Sequence, residues 1–327
     1  MHSRQTIIHI LLALWAVTSA TGLFSCSASY TAARSGLKTG NNYCAPAISY
    51  IYDARFRPLE NIDTYTGDSA LTARIPEHDL YMANATGTLP LMMQLLQARK
   101  DSSTEGRMRV LELNTQIQQR LTWAVTEISA IAAEMDCEGE RVEQFAVYLD
   151  NLNARKNTRL TVSSIIVGSL TTVATVVIKN NTAQNAVGIG GGLLSAGLGA
   201  LTIPASSKKI TLEHPRNLLQ DIWLAPAESG VYSPFLWYVL NEKNFSNGRQ
   251  HSLVHSIRDR WYAFEFNQKI DSLSEKKLFG QGGPYTAGDL HTRANMLNQL
   301  QSTVRSIHQD MQNLMATLYR ITYTDPK

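Results

Sequence analysis

The sequence predicts a mainly α fold: an elongated helical bundle with two long heptad-patterned helices and an apolar, Gly-rich helical hairpin. Three observations carry this prediction. Apolar residues recur every seven positions within residues 90–158 and again within 285–327. Two apolar runs between Leu160 and Ile203 flank a short polar turn, and strand-like alternation is nowhere sustained.

Residues 1–25 read as a secretion signal, with a cation at Arg4, an apolar core from Ile7 to Val17, and small residues at Thr18, Ser19 and Ala20. That core is too short to span a bilayer. Leu23-Phe24-Ser25-Cys26 resembles the bacterial lipobox, in which a leucine stands three before the cysteine and a small residue just before it. The resemblance implies cleavage before Cys26, lipidation of its thiol with chains such as palmitate, and a lipid-anchored protein of the bacterial cell envelope. Ser27 after the cysteine, in place of Asp, implies the outer membrane. Cleavage after Ala20 by ordinary signal peptidase, leaving Cys26 a free thiol, is the alternative.

With Cys26 lipidated, Cys44 and Cys137 remain, an even pair in a compartment that permits disulfides. A bridge between them would tie the N-terminal segment to the middle of a long helix; two separate buried thiols are the alternative. The 30 Lys and Arg nearly balance 27 Asp and Glu, and signal cleavage removes one cation, Arg4. Cations gather only in short clusters such as Arg258 with Arg260 and Lys276 with Lys277, so no nucleic-acid partner is expected.

Residues 26–42 are rich in Ser, Ala, Thr and Gly and read as a lipidated flexible tether. Residues 43–89 form an aromatic, turn-rich wrapping segment with a short helix expected at Ala47–Arg55. The long amphipathic helix of residues 90–158 has two interleaved apolar series. Val110, Ile117, Ala124, Ile131, Glu138, Phe145 and Leu152 make one; Asn114, Leu121, Ile128, Met135, Val142 and Leu149 make the other. Gly106 and Gly139 each weaken a helix by about 1 kcal/mol, and Glu138 interrupts the apolar seam, so a break is expected near Glu138.

Residues 159–209 are the apolar hairpin. Its first run, Leu160–Ile178, holds no charge and as a helix would rise about 28 Å, close to the roughly 30 Å of a bilayer's hydrocarbon core. The second run, Ala186–Ile203, spaces small residues at Gly188, Gly192, Ala196 and Ala200 and at Gly191, Ser195 and Gly199. With Gly168 and Gly197 these suit close helix packing. Lys179–Asn185 suits the reversal between them. Lys156 and Arg159 precede the hairpin and Lys208 and Lys209 follow it, which places both ends on one side of any membrane it enters. A hairpin buried inside the bundle is the competing expectation.

Residues 210–284 read as short helices and loops, with helices at Val231–Asn244 and Gln250–Phe266 and a loop at Gly280–Pro284. Residues 285–327 form a C-terminal coiled-coil-like helix, started by capping residues within Thr286–Asp289. Its seam is Leu290, Leu297, Val304, Met311 and Leu318 with Leu300, Ile307, Leu314 and Ile321. Two such seams can bury each other within one chain, and homo-oligomeric coiled coils are the competitor.

Site chemistry is sparse. His251 and His255 stand four apart with Asp259 four further on, a weak metal-ligand candidate that lacks the glutamate of a zinc peptidase helix. Gly188-Ile-Gly-Gly-Gly192 lacks the Lys and Ser/Thr of a phosphate loop. Glu134, Asp136, Glu138, Glu140 and Glu143 read as a solvated helix face. No cofactor and no catalytic residue is expected, although an enzyme cleft assembled from distant residues would leave no such trace.

In pattern, Leu23–Cys26 with Leu160–Ile203 resembles the glycine-zipper outer-membrane lipoproteins, including the surface-exclusion lipoproteins of conjugative plasmids. The hairpin set between long bundle helices resembles the α-helical pore-forming toxins. Neither resemblance transfers a site residue. Together they imply a non-enzymatic envelope lipoprotein whose hairpin inserts in a membrane or assembles, with membrane lipid and a second copy or an envelope protein as partners. A pore former or toxin-like protein is the alternative.

Overall fold

The computed structural model describes residues 43–46, 56–201 and 208–324. The signal segment, Cys26, the tether, the helix expected at Ala47–Arg55 and the Thr202–Ile203 end of the second apolar run lie outside the described residues. The fold is mainly α and a helical bundle, as the sequence predicts. Its helices are α1 (Asp63–Thr66), α2 (Ser69–Thr72), α3 (Glu77–Ala85), α4 (Leu89–Ala98), α5 (Thr104–Val177) and α6 (Asn181–Ala200), followed by α7 (Gln220–Leu224), α8 (Pro234–Asn241), α9 (Leu253–Arg260), α10 (Ser272–Phe279) and α11 (Ala287–Tyr319).

Helices α5 and α11 are antiparallel partners. Glu143, Ala132, Ser129 and Asn114 on α5 pair in turn with His291, Gln301, His308 and Tyr323 of the C-terminal segment. All nine apolar seam residues of the C-terminal segment are buried, and Ile117 to Leu149 bury the facing seam. The heptads are thus satisfied within one chain. Thr286 and Asp289 form a reciprocal capping box at the start of α11, each side chain accepting a backbone N–H of the other's end.

The helix expected from residue 90 is two helices. Asp101-Ser102-Ser103 interrupts it, and Ser103 Oγ then accepts the Gly106 N–H at 3.0 Å to begin α5. From there α5 continues unbroken for 74 residues, so the break expected near Glu138 does not occur. Gly139 faces α11 at close range, where an added Cβ would lie 3.1 Å from Asn298 Oδ1. Its cost to the helix is offset by tertiary packing. The boundary expected at residue 159 is no interruption either: α5 itself becomes the first arm of the hairpin.

Residues 43–89 hold more order than their turns suggest. Helix α3 is deeply buried through Leu80, Met82, Ala83 and Ala85, and Asn84 exchanges two 2.9 Å hydrogen bonds with the Leu59 backbone. Thr317 Oγ1 donates to Asp79 at 2.7 Å, tying α3 to α11. The expected bridge is present: Cys44 and Cys137 are joined, with Cα atoms 5.5 Å apart.

Of the loop expected at Gly280–Pro284, residues 282–284 belong instead to β2 (Gly282–Tyr285), which pairs antiparallel with β1 (Ile210–Glu213). Four residues containing two glycines and a proline carry no readable alternation. Gly282 has φ 97°, and a Cβ there would collide with the Leu212 carbonyl.

Candidate functional site

The cover that α11 gives to α5 ends where α11 begins. His291, one turn inside α11, pairs with Glu143 at 3.0 Å and Asp150 at 2.9 Å, and Leu149 is the last buried residue of α5. From there to Val177 no residue is buried, and none is buried in α6. The competing expectation, a hairpin buried inside the bundle, is thereby overturned: the partner helix is too short to reach it.

The turn is tighter than Lys179–Asn185. Asn180 Oδ1 accepts the Ala183 N–H at 3.1 Å, and α6 is under way by Asn181. The two arms then pack antiparallel along one face of small residues. Ser164 Oγ donates to the Ser195 carbonyl at 2.9 Å and Ser195 Oγ returns a bond to the Ser164 carbonyl at 3.1 Å. Gln184 Nε2 donates to the Thr175 carbonyl at 2.7 Å. A Cβ on Gly191 would fall within the Thr171 side chain, while Cβ atoms on Gly188 and Gly168 would touch Thr175 and Ser195 at 3.5 and 3.4 Å. A Cβ on Gly199 would come within 3.9 Å of Ser164.

The small residues therefore divide into two classes that the sequence does not separate. Gly168, Gly188, Gly191, Ser195 and Gly199 serve the contact between the arms. Gly192 and Gly197 have open space where a Cβ would stand, and Ala196 and Ala200 are exposed beside them. Ile189, Leu193 and Leu194 share this outward surface, Leu193 with 70% of its area accessible. On the first arm Val162, Ile165, Ile166, Val173 and Val176 are likewise exposed.

Among the described residues, α5 is the one helix with a stretch long and apolar enough to cross a membrane, and none of that 18-residue stretch is buried. Helix α6 does not meet that measure, because its glycines dilute its hydrophobicity. It would cross only in company with the first arm, to which its inner face is fitted. Four of the hydroxyls that lower the apolar character of the first arm are bonded within their own helix. Ser169, Thr171, Thr172 and Thr175 donate to carbonyls at Ile165, Val167, Gly168 and Thr172 over 2.8–2.9 Å. Hydroxyls bonded to their own helix carbonyls in this way are tolerated in hydrocarbon.

The remaining candidates resolve differently. His251 precedes Ser252, the cap of α9, and is not on the helix at all; its ring stacks on that of His255 at 4.3 Å, while His255 pairs with Asp259 at 2.9 Å. Among the described residues no group of three His, Cys, Asp or Glu is arranged to hold a metal ion, which removes the His251, His255 and Asp259 candidate. The run Gly188–Gly192 lies inside α6, not in a loop after a strand.

Two residues of the expected solvated carboxylate face are not solvated. Glu134 and Glu138 are buried, Glu134 receiving Arg216 Nε at 2.9 Å and Glu138 receiving Arg141 at 2.7 and 2.8 Å. Arg293, fully buried on α11, lies 3.9 Å from Glu138. Arg293 occupies the heptad position of Leu300, and Glu138 that of Ile131 and Phe145, so one charge on each seam was a signal for their pairing. Beside them Tyr285 donates to the Lys277 carbonyl at 2.6 Å, which leaves His214 Nε2 to donate to the Tyr285 oxygen at 2.8 Å. His214 is thus held neutral, its pKa lowered to about 2 by burial and then by Arg293 and Arg141. This cluster is packed among helices and pins α5, α11 and the ribbon together. Comparison with protein-family models, curated proteins and solved structures finds no match to this chain.

Proposed function

We propose that this chain is a non-enzymatic lipoprotein of the bacterial cell envelope, anchored at Cys26 in the outer membrane, whose bundle holds the hairpin outward for insertion into a bilayer and assembly there. One observation supports the reading: among the described residues, none in the apolar stretch of α5 and none in α6 is buried, although the two arms pack on each other. Exposing a contiguous apolar surface of this extent to water is unfavourable, so a soluble role does not account for it. The seamed bundle supplies a rigid support. The outward small face of Gly192, Ala196 and Ala200 suits the close approach of a second hairpin in lipid.

A pore former that stores its hairpin within a soluble fold would need a covering element, and α11 does not extend that far. Insertion by this hairpin requires no unfolding of the bundle.

The test uses the chain with Cys26→Ser, so that no acyl anchor contributes, mixed with liposomes. Residues 160–200 are expected to become protected from protease, and Gly192→Asp, which has room for its side chain, to abolish that protection without altering the helical circular dichroism. Protease sensitivity unchanged by liposomes would overturn the reading. Dye release accompanying insertion would assign a pore. Separately, labelled palmitate should appear on the unaltered chain and vanish with Cys26→Ala.

A further inference from the structure

We propose that the base of the hairpin is a collar for anionic phospholipid headgroups, so that charge selects the bilayer it enters. This rests on the reading of the hairpin as a membrane element and names its lipid partner. Between Asp150 and Glu213 the sequence holds no Asp or Glu and six cations: Arg155, Lys156, Arg159, Lys179, Lys208 and Lys209. The whole chain carries only +3, so this segment concentrates positive charge while the remainder is net acidic.

Five of the six gather at one level. Arg155, Lys156 and Arg159 are exposed on the turn of α5 that immediately precedes the apolar arm. The returning chain is brought back to that level where the Lys208 N–H donates to Asn153 Oδ1 at 3.3 Å, which sets Lys208 and the exposed Lys209 beside the same helical turns. The exposed apolar side chains begin directly above, at Val162, Ile165 and Ile166.

When those side chains enter hydrocarbon, the collar is held at headgroup depth, where long basic side chains reach phosphate while their methylenes lie along the apolar boundary. The far end of the hairpin has the opposite character: a single cation, Lys179, among uncharged amides. The end that must cross the bilayer thus carries the least charge, and the end that stays carries the most. An anionic surface strengthens binding by about fivefold for each Lys or Arg brought near it, and a Debye length of about 10 Å at 0.1 M salt makes the effect salt-sensitive. A soluble polyanion would use the same cations, but it would leave the adjoining apolar face unused.

Flotation of the Cys26→Ser chain with vesicles of phosphatidylcholine, alone or containing phosphatidylglycerol, tests the proposal. Binding to the anionic vesicles is expected to exceed binding to neutral ones by more than about tenfold in 0.1 M salt and to lose that preference near 0.5 M. The triple variant Arg155→Gln, Lys156→Gln, Arg159→Gln should lose most of the preference, and Lys208→Gln with Lys209→Gln part of it, with unchanged circular dichroism. Equal binding to both vesicles that is abolished by Gly192→Asp overturns the collar and leaves the membrane hairpin standing. Binding to neither vesicle overturns both. Anionic binding that survives Gly192→Asp, or that heparin abolishes equally in all variants, assigns the cations to polyanions in general and overturns the proposal.

Discussion

The two parts of helix α5 share one unbroken backbone and differ in everything that touches it. From Leu113 to Leu149 the helix is amphipathic, and its apolar side is sealed by α11, α4 and the Cys44–Cys137 bridge. From Leu160 to Val177 it is uncharged on every side, none of it is buried, and the small-residue face of α6 packs on it. The more hydrophobic part is the less buried one. Burial in this molecule follows the availability of a matching partner, and hydrophobicity without a partner marks the surface left for another environment.

The largest effect expected is in the sealed part. Glu138→Ala leaves Arg141 and Arg293 buried without their carboxylate and should lower the unfolding free energy by about 3–5 kcal/mol, read by urea denaturation. A loss no larger than that of an exposed hairpin substitution would break the comparison. Cys137→Ser removes a bridge whose ends are 93 residues apart and should cost about 2–4 kcal/mol in the same assay, with reduction of the unaltered chain giving the same value.

Acid should act on the sealed part as well. Because the His214 pKa is lowered to about 2, its contribution is intact above the ordinary value near 6.5 and is lost as the pH falls below it. Folding at pH 5 should be weaker than at pH 8 by about 2 kcal/mol from this group, and His214→Phe should remove that slope. Glu127 and Glu134, whose pKa values burial raises, act in the opposite direction at lower pH but equally in both chains. An identical slope in the two chains would remove His214 from the account.

Within the hairpin, Gly191→Leu has no room beside Thr171 and should separate the arms at a cost of about 1–3 kcal/mol. Hydrogen exchange at residues 164–199 would show it, while Gly192→Leu leaves that exchange unchanged. Equal effects would sink the division of the small residues into inner and outer faces. The smallest effect is expected for Leu193→Ala, which should change stability in water by less than about 0.5 kcal/mol.

Period and punctuation made much of the fold legible. Seven-residue repeats located both seam helices, Thr286 and Asp289 marked the start of α11, and the count of cysteines pointed to the Cys44–Cys137 bridge. These features are local, or depend on chemistry that the residue types carry with them. Buried helix α3 was hidden among prolines and aromatics, since its burial comes from α11 and α8 and not from a strong period of its own. The ribbon of β1 and β2 was hidden because two glycines and a proline form a strand only when Ile210–Glu213 lies alongside.

For the hairpin, the sequence alone determined that Leu160–Ile178 is apolar and uncharged, that a small-residue segment follows, and that cations flank the pair. Only the tertiary structure decided that α5 continues into the hairpin without a break, that α11 ends short of it, and that Gly191 faces the other arm while Gly192 faces outward. The physical reason is that composition and period fix which surface a helix possesses, whereas burial is a property of two surfaces. It depends on the length and register of a partner, whether the neighbouring arm or a helix folded from residues more than a hundred positions away.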